Sequence, residues 1–189
     1  EAVVVDTPSS ISDTKIPEKD LMLTTIDSSG RVFLTMQNPK YAGQTKDLKR
    51  KVLEYVAGKY QIAFTEAEME KFSKEEMFGV PVKDLQKYLD ATSTEEKNKY
   101  NTGIPYDSTN NELFNWVQGI QVAHFNFRQE QKEMIESGIE VKPKEVMDRI
   151  KYAIKADGNA KYEQVQKVIN VFQNPQLNIN TFSLITDLE

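Results

Sequence analysis

The chain reads as an α+β domain. One mixed β-sheet is formed by an N-terminal hairpin and a C-terminal β-α-β unit, with helices on one face and an α-helical segment between the two halves. Three observations predict this. Residues 21 to 26 and 31 to 36 are β-rich runs separated by Asp27-Ser28-Ser29-Gly30. Residues 150 to 156 alternate in polarity and lead into a helix-period segment and the short run 182 to 186. The residues between about 60 and 143 carry helical rather than strand spacing.

At the N-terminus, Val3-Val4-Val5 is followed by Asp6-Thr7-Pro8-Ser9-Ser10 and by Ile16-Pro17. The prolines and the Ser/Thr/Asp cluster oppose a helix, so residues 1 to 17 are expected to be an extended linker. Its β-branched opening is suited to adding a strand to another copy. The folded domain is expected over 18 to 189. Its hairpin closes at Gly30, which supplies the positive φ that such loops need.

After Asn38-Pro39 a helix is expected from about Thr45, with Leu48, Val52, Tyr55 and Val56 on one face and Gly58 as its stop. Thr65-Glu66-Ala67-Glu68 reads as a capped helix start, with Met69, Phe72 and Met77 turned inward. Val82, Leu85, Tyr88 and Leu89 mark a further short helix, which gives way to the polar run 91 to 101. Beyond the Gly103-Ile104-Pro105 breaker, Asn110 or Asn111 caps a helix through Leu113, Trp116, Val117, Ile120 and Phe125. A charged stretch from Arg128 to Glu136 precedes Gly138, and Pro143 closes the region. No fixed repeat period is visible.

At the C-terminal end, Ile150, Tyr152, Ile154 and Ala156 point to one face of their strand and Lys151 and Lys155 to the other. The sheet is therefore expected to bury one side only, beneath the helices. Asp157 is placed to bond backbone groups of the following turn, Asn159 to cap the next helix, and Asn174-Pro175 to end it.

Composition excludes several classes. The absence of cysteine removes disulfides, thiolate nucleophiles and sulfur-ligated metals together. A net charge of -5, with no basic run interleaved with aromatics, argues against a nucleic-acid partner. A chain of 189 residues can hold one domain with a sizeable core. No stretch approaches the roughly 20 apolar residues that span a bilayer. The first residue is Glu1 rather than Met, which leads to the expectation of a processed or truncated soluble form.

Tests for chemistry are negative. His124 is the single histidine, so multi-histidine metal sites are excluded, and its apolar helical setting suggests a structural or surface residue. Glu66 with Glu68, and Glu75 with Glu76, stand one or two apart and do not share a helix face. No phosphate-cradling glycine pattern and no EF-hand loop occur. Trp116, Phe114, Phe125 and Phe127 read mainly as core, with an interface as the other reading. No enzyme activity, cofactor or metal is expected.

The C-terminal motif carries a further inference. A strand ending in Ala156-Asp157, a helix opened by Tyr162 with Val165, Val168 and Ile169, and a closing Leu184-Ile185-Thr186 together resemble the periplasmic domain of ExbD/TolR-type biopolymer transport proteins. The Asp-x-x-Gly hairpin and the linker residues Val3, Val4, Val5, Asp6 and Pro8 are similar to that family as well, although Thr7 stands where its usual Leu precedes the Pro. The resemblance covers about half of the chain. It makes residues 60 to 143 a helical insertion, and leaves either 46 to 57 or 111 to 123 as the family's first core helix.

The resemblance implies a non-enzymatic subunit on the periplasmic side of the inner membrane of a Gram-negative cell, anchored by an N-terminal helix outside this sequence. It would form a homodimer and join an ExbB/TolQ-like membrane subunit to a TonB/TolA-like transducer in a proton-motive-force-driven Ton- or Tol-type transport system. Peptidoglycan is an overlapping partner. The candidate motif and interface positions are Val3, Val4, Val5, Asp6, Pro8, Asp157 and Tyr162. The competing reading is a small α+β hydrolase or ligand-binding domain with a helical lid.

Overall fold

The hairpin pairs β1 (Leu21–Ile26) antiparallel with β2 (Val32–Gln37), in the register Met22↔Met36 to Ile26↔Val32. Its turn is set by Asp27, whose Oδ1 accepts from the backbone N–H groups of Ser29 and Arg31, both at 2.9 Å. Gly30 has φ +81°, a conformation that a Cβ would strain. The computed structural model describes residues 19–37 and 42–187. The linker residues Val3, Val4, Val5, Asp6 and Pro8 lie outside them.

The remaining elements are α1 (Ala42–Tyr60), α2 (Glu66–Ser73), β3 (Met77–Phe78), α3 (Val82–Asp90), α4 (Thr94–Tyr100), the two-residue strands β4 (Tyr106–Asp107) and β5 (Asn110–Asn111), α5 (Glu112–Glu136), β6 (Lys151–Asp157), α6 (Tyr162–Phe172) and β7 (Ser183–Asp187). The main sheet has the order β3-β2-β1-β6-β7. β6 runs parallel to β1 and to β7, while β3 pairs antiparallel with β2. The fold is thus α+β with a mixed sheet, as the sequence predicts.

One face of the sheet carries Met22, Ile26, Val32, Leu34, Ile154 and Ala156, all buried. Against it pack Val52, Leu53 and Val56 of α1, Trp116, Val117 and Ile120 of α5, and Val165, Val168 and Phe172 of α6, in one continuous core. The centre of that core is aromatic. Trp116 lies 5.7 Å from Phe72 and 4.8 Å from Phe78, ring centroid to centroid. Each such side chain contributes about 1.5–3 kcal/mol through burial alone. Because Phe72, Phe78 and Trp116 come from three separate elements of the middle segment, that segment is part of the domain's core and not a lid laid over it.

Several details differ from expectation. The second sheet face is also partly buried: Leu21 is 6% exposed, Phe33 9% and Ala153 1%. On that side the Gly79 backbone lies so close to the Phe33 ring that a Cβ would meet it at 2.3 Å, and the Arg31 guanidinium stands 5.8 Å from the ring centroid. Met77 belongs to an edge strand and is 49% exposed, not turned inward on a helix. Gly58 does not stop α1. The helix ends at Tyr60, and the φ of +55° at Gln61 lets Ile62 N–H return to the Ala57 carbonyl at 3.0 Å. Thr65 and Glu68 form the expected reciprocal capping box on α2. The polar run 91 to 101 contains α4, capped by Ser93, and α5 continues through the charged stretch to Glu136.

α1 and α5, the two candidates for a first core helix, lie against each other. A Cβ on Gly119 would come within 2.8 Å of the Tyr55 ring, so the absent side chain permits the close approach. Tyr55 Oη donates to Gln118 Oε1 at 2.7 Å beside it.

Candidate functional site

The motif residues Asp157 and Tyr162 sit at the two ends of the β6–α6 connection. Asp157 is half-buried, and its Oδ1 accepts from Asn159 N–H at 2.8 Å while its carbonyl accepts from Ala160 N–H at 2.9 Å. Its side chain therefore organises the turn, as its position suggests. Asn159 does not cap α6. The N-cap is Lys161, which makes no side-chain capping bond. Tyr162, on the first turn of α6, is 58% exposed, and its hydroxyl lies 3.4 Å from Gln166 Oε1. Each side chain is bonded locally, Asp157 within its turn and Tyr162 within α6, and not to the other.

The hairpin tip reaches the same end of the sheet, since Ile26 and Ala156 are register partners. Tyr106 Oη donates to the Gly30 carbonyl at 2.8 Å, and the Gln164 amide of α6 fills the space where a Gly30 side chain would go. Burial opposes the charge of Asp27, but the Arg31 and Ser29 N–H groups and the Arg31 guanidinium, 2.6 Å from Oδ2, outweigh it and hold the carboxyl below its usual range.

At the opposite end of the sheet lies a second polar assembly. Asp20, immediately before β1, has φ +55° and is 5% exposed. Its Oδ1 is 3.1 Å from His124 Nε2 on α5, and its Oδ2 accepts from Asp148 N–H at 3.0 Å. A carboxylate can only accept, so Nε2 carries the proton in this contact. His124 is thus a buried, bonded residue, in line with the structural reading of it. Beside it, Gln121 Nε2 donates both to Tyr152 Oη at 2.9 Å and to the Leu177 carbonyl at 2.7 Å. Burial pushes the Tyr152 hydroxyl pKa up.

This second assembly borders a cleft of about 500 Å³ between α5, the start of β6 and the loop 177 to 181. Gln121, His124, Phe125 and Arg128 form its α5 wall because spacings of three and four residues return to one helix side. Arg149 and Ile150 face them from the chain leading into β6. Sequence reasoning missed this cleft: Arg128 reads there as the start of a solvated charged stretch, and nothing local relates it to Arg149.

Among the described residues no group of three or more His, Cys, Asp or Glu side chains is arranged to hold a metal ion. Nor is any described helix long and apolar enough to cross a membrane. Comparison with protein-family models, with curated proteins and with solved structures returned no match to this chain.

Proposed function

We propose that the chain is the periplasmic domain of a membrane-anchored ExbD/TolR-like subunit in a proton-motive-force-driven Ton- or Tol-type complex. It works as a homodimer through contacts with an ExbB/TolQ-like membrane subunit and a TonB/TolA-like transducer, without catalysis of its own. The observation that carries this reading is the joining of the Asp-x-x-Gly hairpin and the β6-α6-β7 unit in one sheet, with β6 parallel between β1 and β7. Of the two motif side chains in the described residues, Tyr162 is the one placed as a contact surface requires. Asp157 is spent on its own turn, whereas Tyr162 projects into solvent.

Within this reading, residues 60 to 143 are an insertion that shares the core and extends the sheet by β3. The test is co-purification in detergent of the anchored gene product with an ExbB/TolQ-like subunit encoded by the same organism. A stable complex is the expected result. Failure to associate, with the isolated chain monomeric and its anchor dispensable in the cell, would overturn the proposal.

A further inference from the structure

We infer that the cleft between α5 and the start of β6 binds a short acidic peptide, holding a carboxylate between Arg128 and Arg149. This goes beyond the transport reading and does not depend on it.

Three observations converge. The first is charge: in a chain of net charge -5, two arginines line one concavity, and neither guanidinium has an ion-pair or hydrogen-bond partner among the described residues. Other arginines of the fold are engaged, Arg31 with Asp27 and Arg50 with Glu66 and Glu70. Planar guanidinium forks match a carboxylate in geometry as well as in charge.

The second is shape. A volume of about 500 Å³ lies within the roughly 300–1,000 Å³ of small-ligand sites. The third is the chemistry of the walls. Phe125 is 56% exposed at the rim and Ile150 and Ile179 are half-buried, so an apolar side chain finds a surface there. Asn178, Asn180 and Thr181 offer donors and acceptors suited to amide groups. Cations for a carboxylate, amide partners and an apolar wall together describe a peptide better than an inorganic anion or a nucleotide.

The experiment is a titration of the isotopically labelled full chain with N-acetyl-phenylalanyl-aspartate, following the side-chain N–H signals of Arg128, Arg149 and Gln121. Saturable shifts at these groups are expected, with about tenfold weaker binding in Arg128→Gln and in Arg149→Gln. Lys87→Gln, on α3, should bind as the parent does. Both arginines lie outside the core, and Arg149 is exposed, so R149Q carries the test even if R128Q folds poorly. Equal shifts with the neutral analogue N-acetyl-phenylalanyl-asparagine amide, or unchanged affinity in both variants, would overturn the assignment. Tighter binding of phenyl phosphate at the same residues would overturn the peptide class in favour of a phosphoester.

Discussion

Asp20 and His124 are 104 residues apart in sequence, yet Asp20 Oδ1 and His124 Nε2 lie 3.1 Å apart in the interior. The contact ties the residue that enters β1 to the middle of α5. Asp20 also accepts from Asp148 N–H and, through its carbonyl, from Lys151 N–H at 2.8 Å. One residue in a left-handed backbone conformation thus joins the hairpin, the long helix and β6.

Removing that junction is expected to be costly. Asp20→Ala leaves the His124 and Asp148 donors without their acceptor and puts a Cβ-bearing residue with no polar compensation at positive φ, for a loss of about 2–4 kcal/mol. Asp20→Asn keeps an acceptor and tolerates the backbone, so it should cost less than half as much. Urea denaturation of both variants checks this, and equal losses would show that the carboxylate bonds contribute little.

Two glycines in the helix pair should respond in opposite directions. Gly119→Val forces a side chain into the Tyr55 ring, and overpacking of this kind costs about 1–3 kcal/mol. At Gly58 a Cβ meets nothing within 4 Å in the interior of α1, so Gly58→Ala is expected to stabilise by about 0.4–1 kcal/mol. Thermal unfolding of the two variants decides. A neutral Gly119→Val would mean that the two helices can separate freely.

Asp27 makes the hairpin turn sensitive to acid. Its folded-state pKa lies below the unfolded value of about 3.9, so the unfolded chain takes up the proton first as pH falls. The contribution of its charge is complete above that unfolded value and is lost as pH falls through the lower folded value. The stability gap between the parent and Asp27→Asn should therefore be constant near neutrality and shrink in the acid range below about pH 4. A gap that stays constant or widens on acidification would contradict the assignment.

Legibility in the sequence followed the range of the interactions. The hairpin, α6 and the two C-terminal strands are readable because Asp27, Gly30, Asp157 and the apolar spacing of Val165, Val168 and Phe172 act within a few residues. β3 is not, since two residues carry no periodicity and their strand state comes from pairing with Leu34 and Thr35. α4 has no buried residue and so no apolar stripe, although Ser93 and Glu96 do supply a local start signal. The junction at Asp20 and the cleft at Arg128 and Arg149 join positions from distant segments. Their side chains look like ordinary surface charge until the fold places them.

At the β6–α6 motif, Asp157 belongs to the scaffold and Tyr162 to the surface. Asp157→Ala removes a turn bond from a half-buried carboxylate and should cost about 1 kcal/mol. Tyr162 is mostly solvated, so Tyr162→Ala should change stability by no more than about 0.5 kcal/mol. If the exposed face of α6 meets a partner or a second copy, that same variant should weaken association with the proposed ExbB/TolQ-like subunit or in the proposed dimer while its unfolding curve stays unchanged. A Tyr162→Ala protein that unfolds more readily but assembles normally would make this tyrosine a packing residue and remove it from the interface.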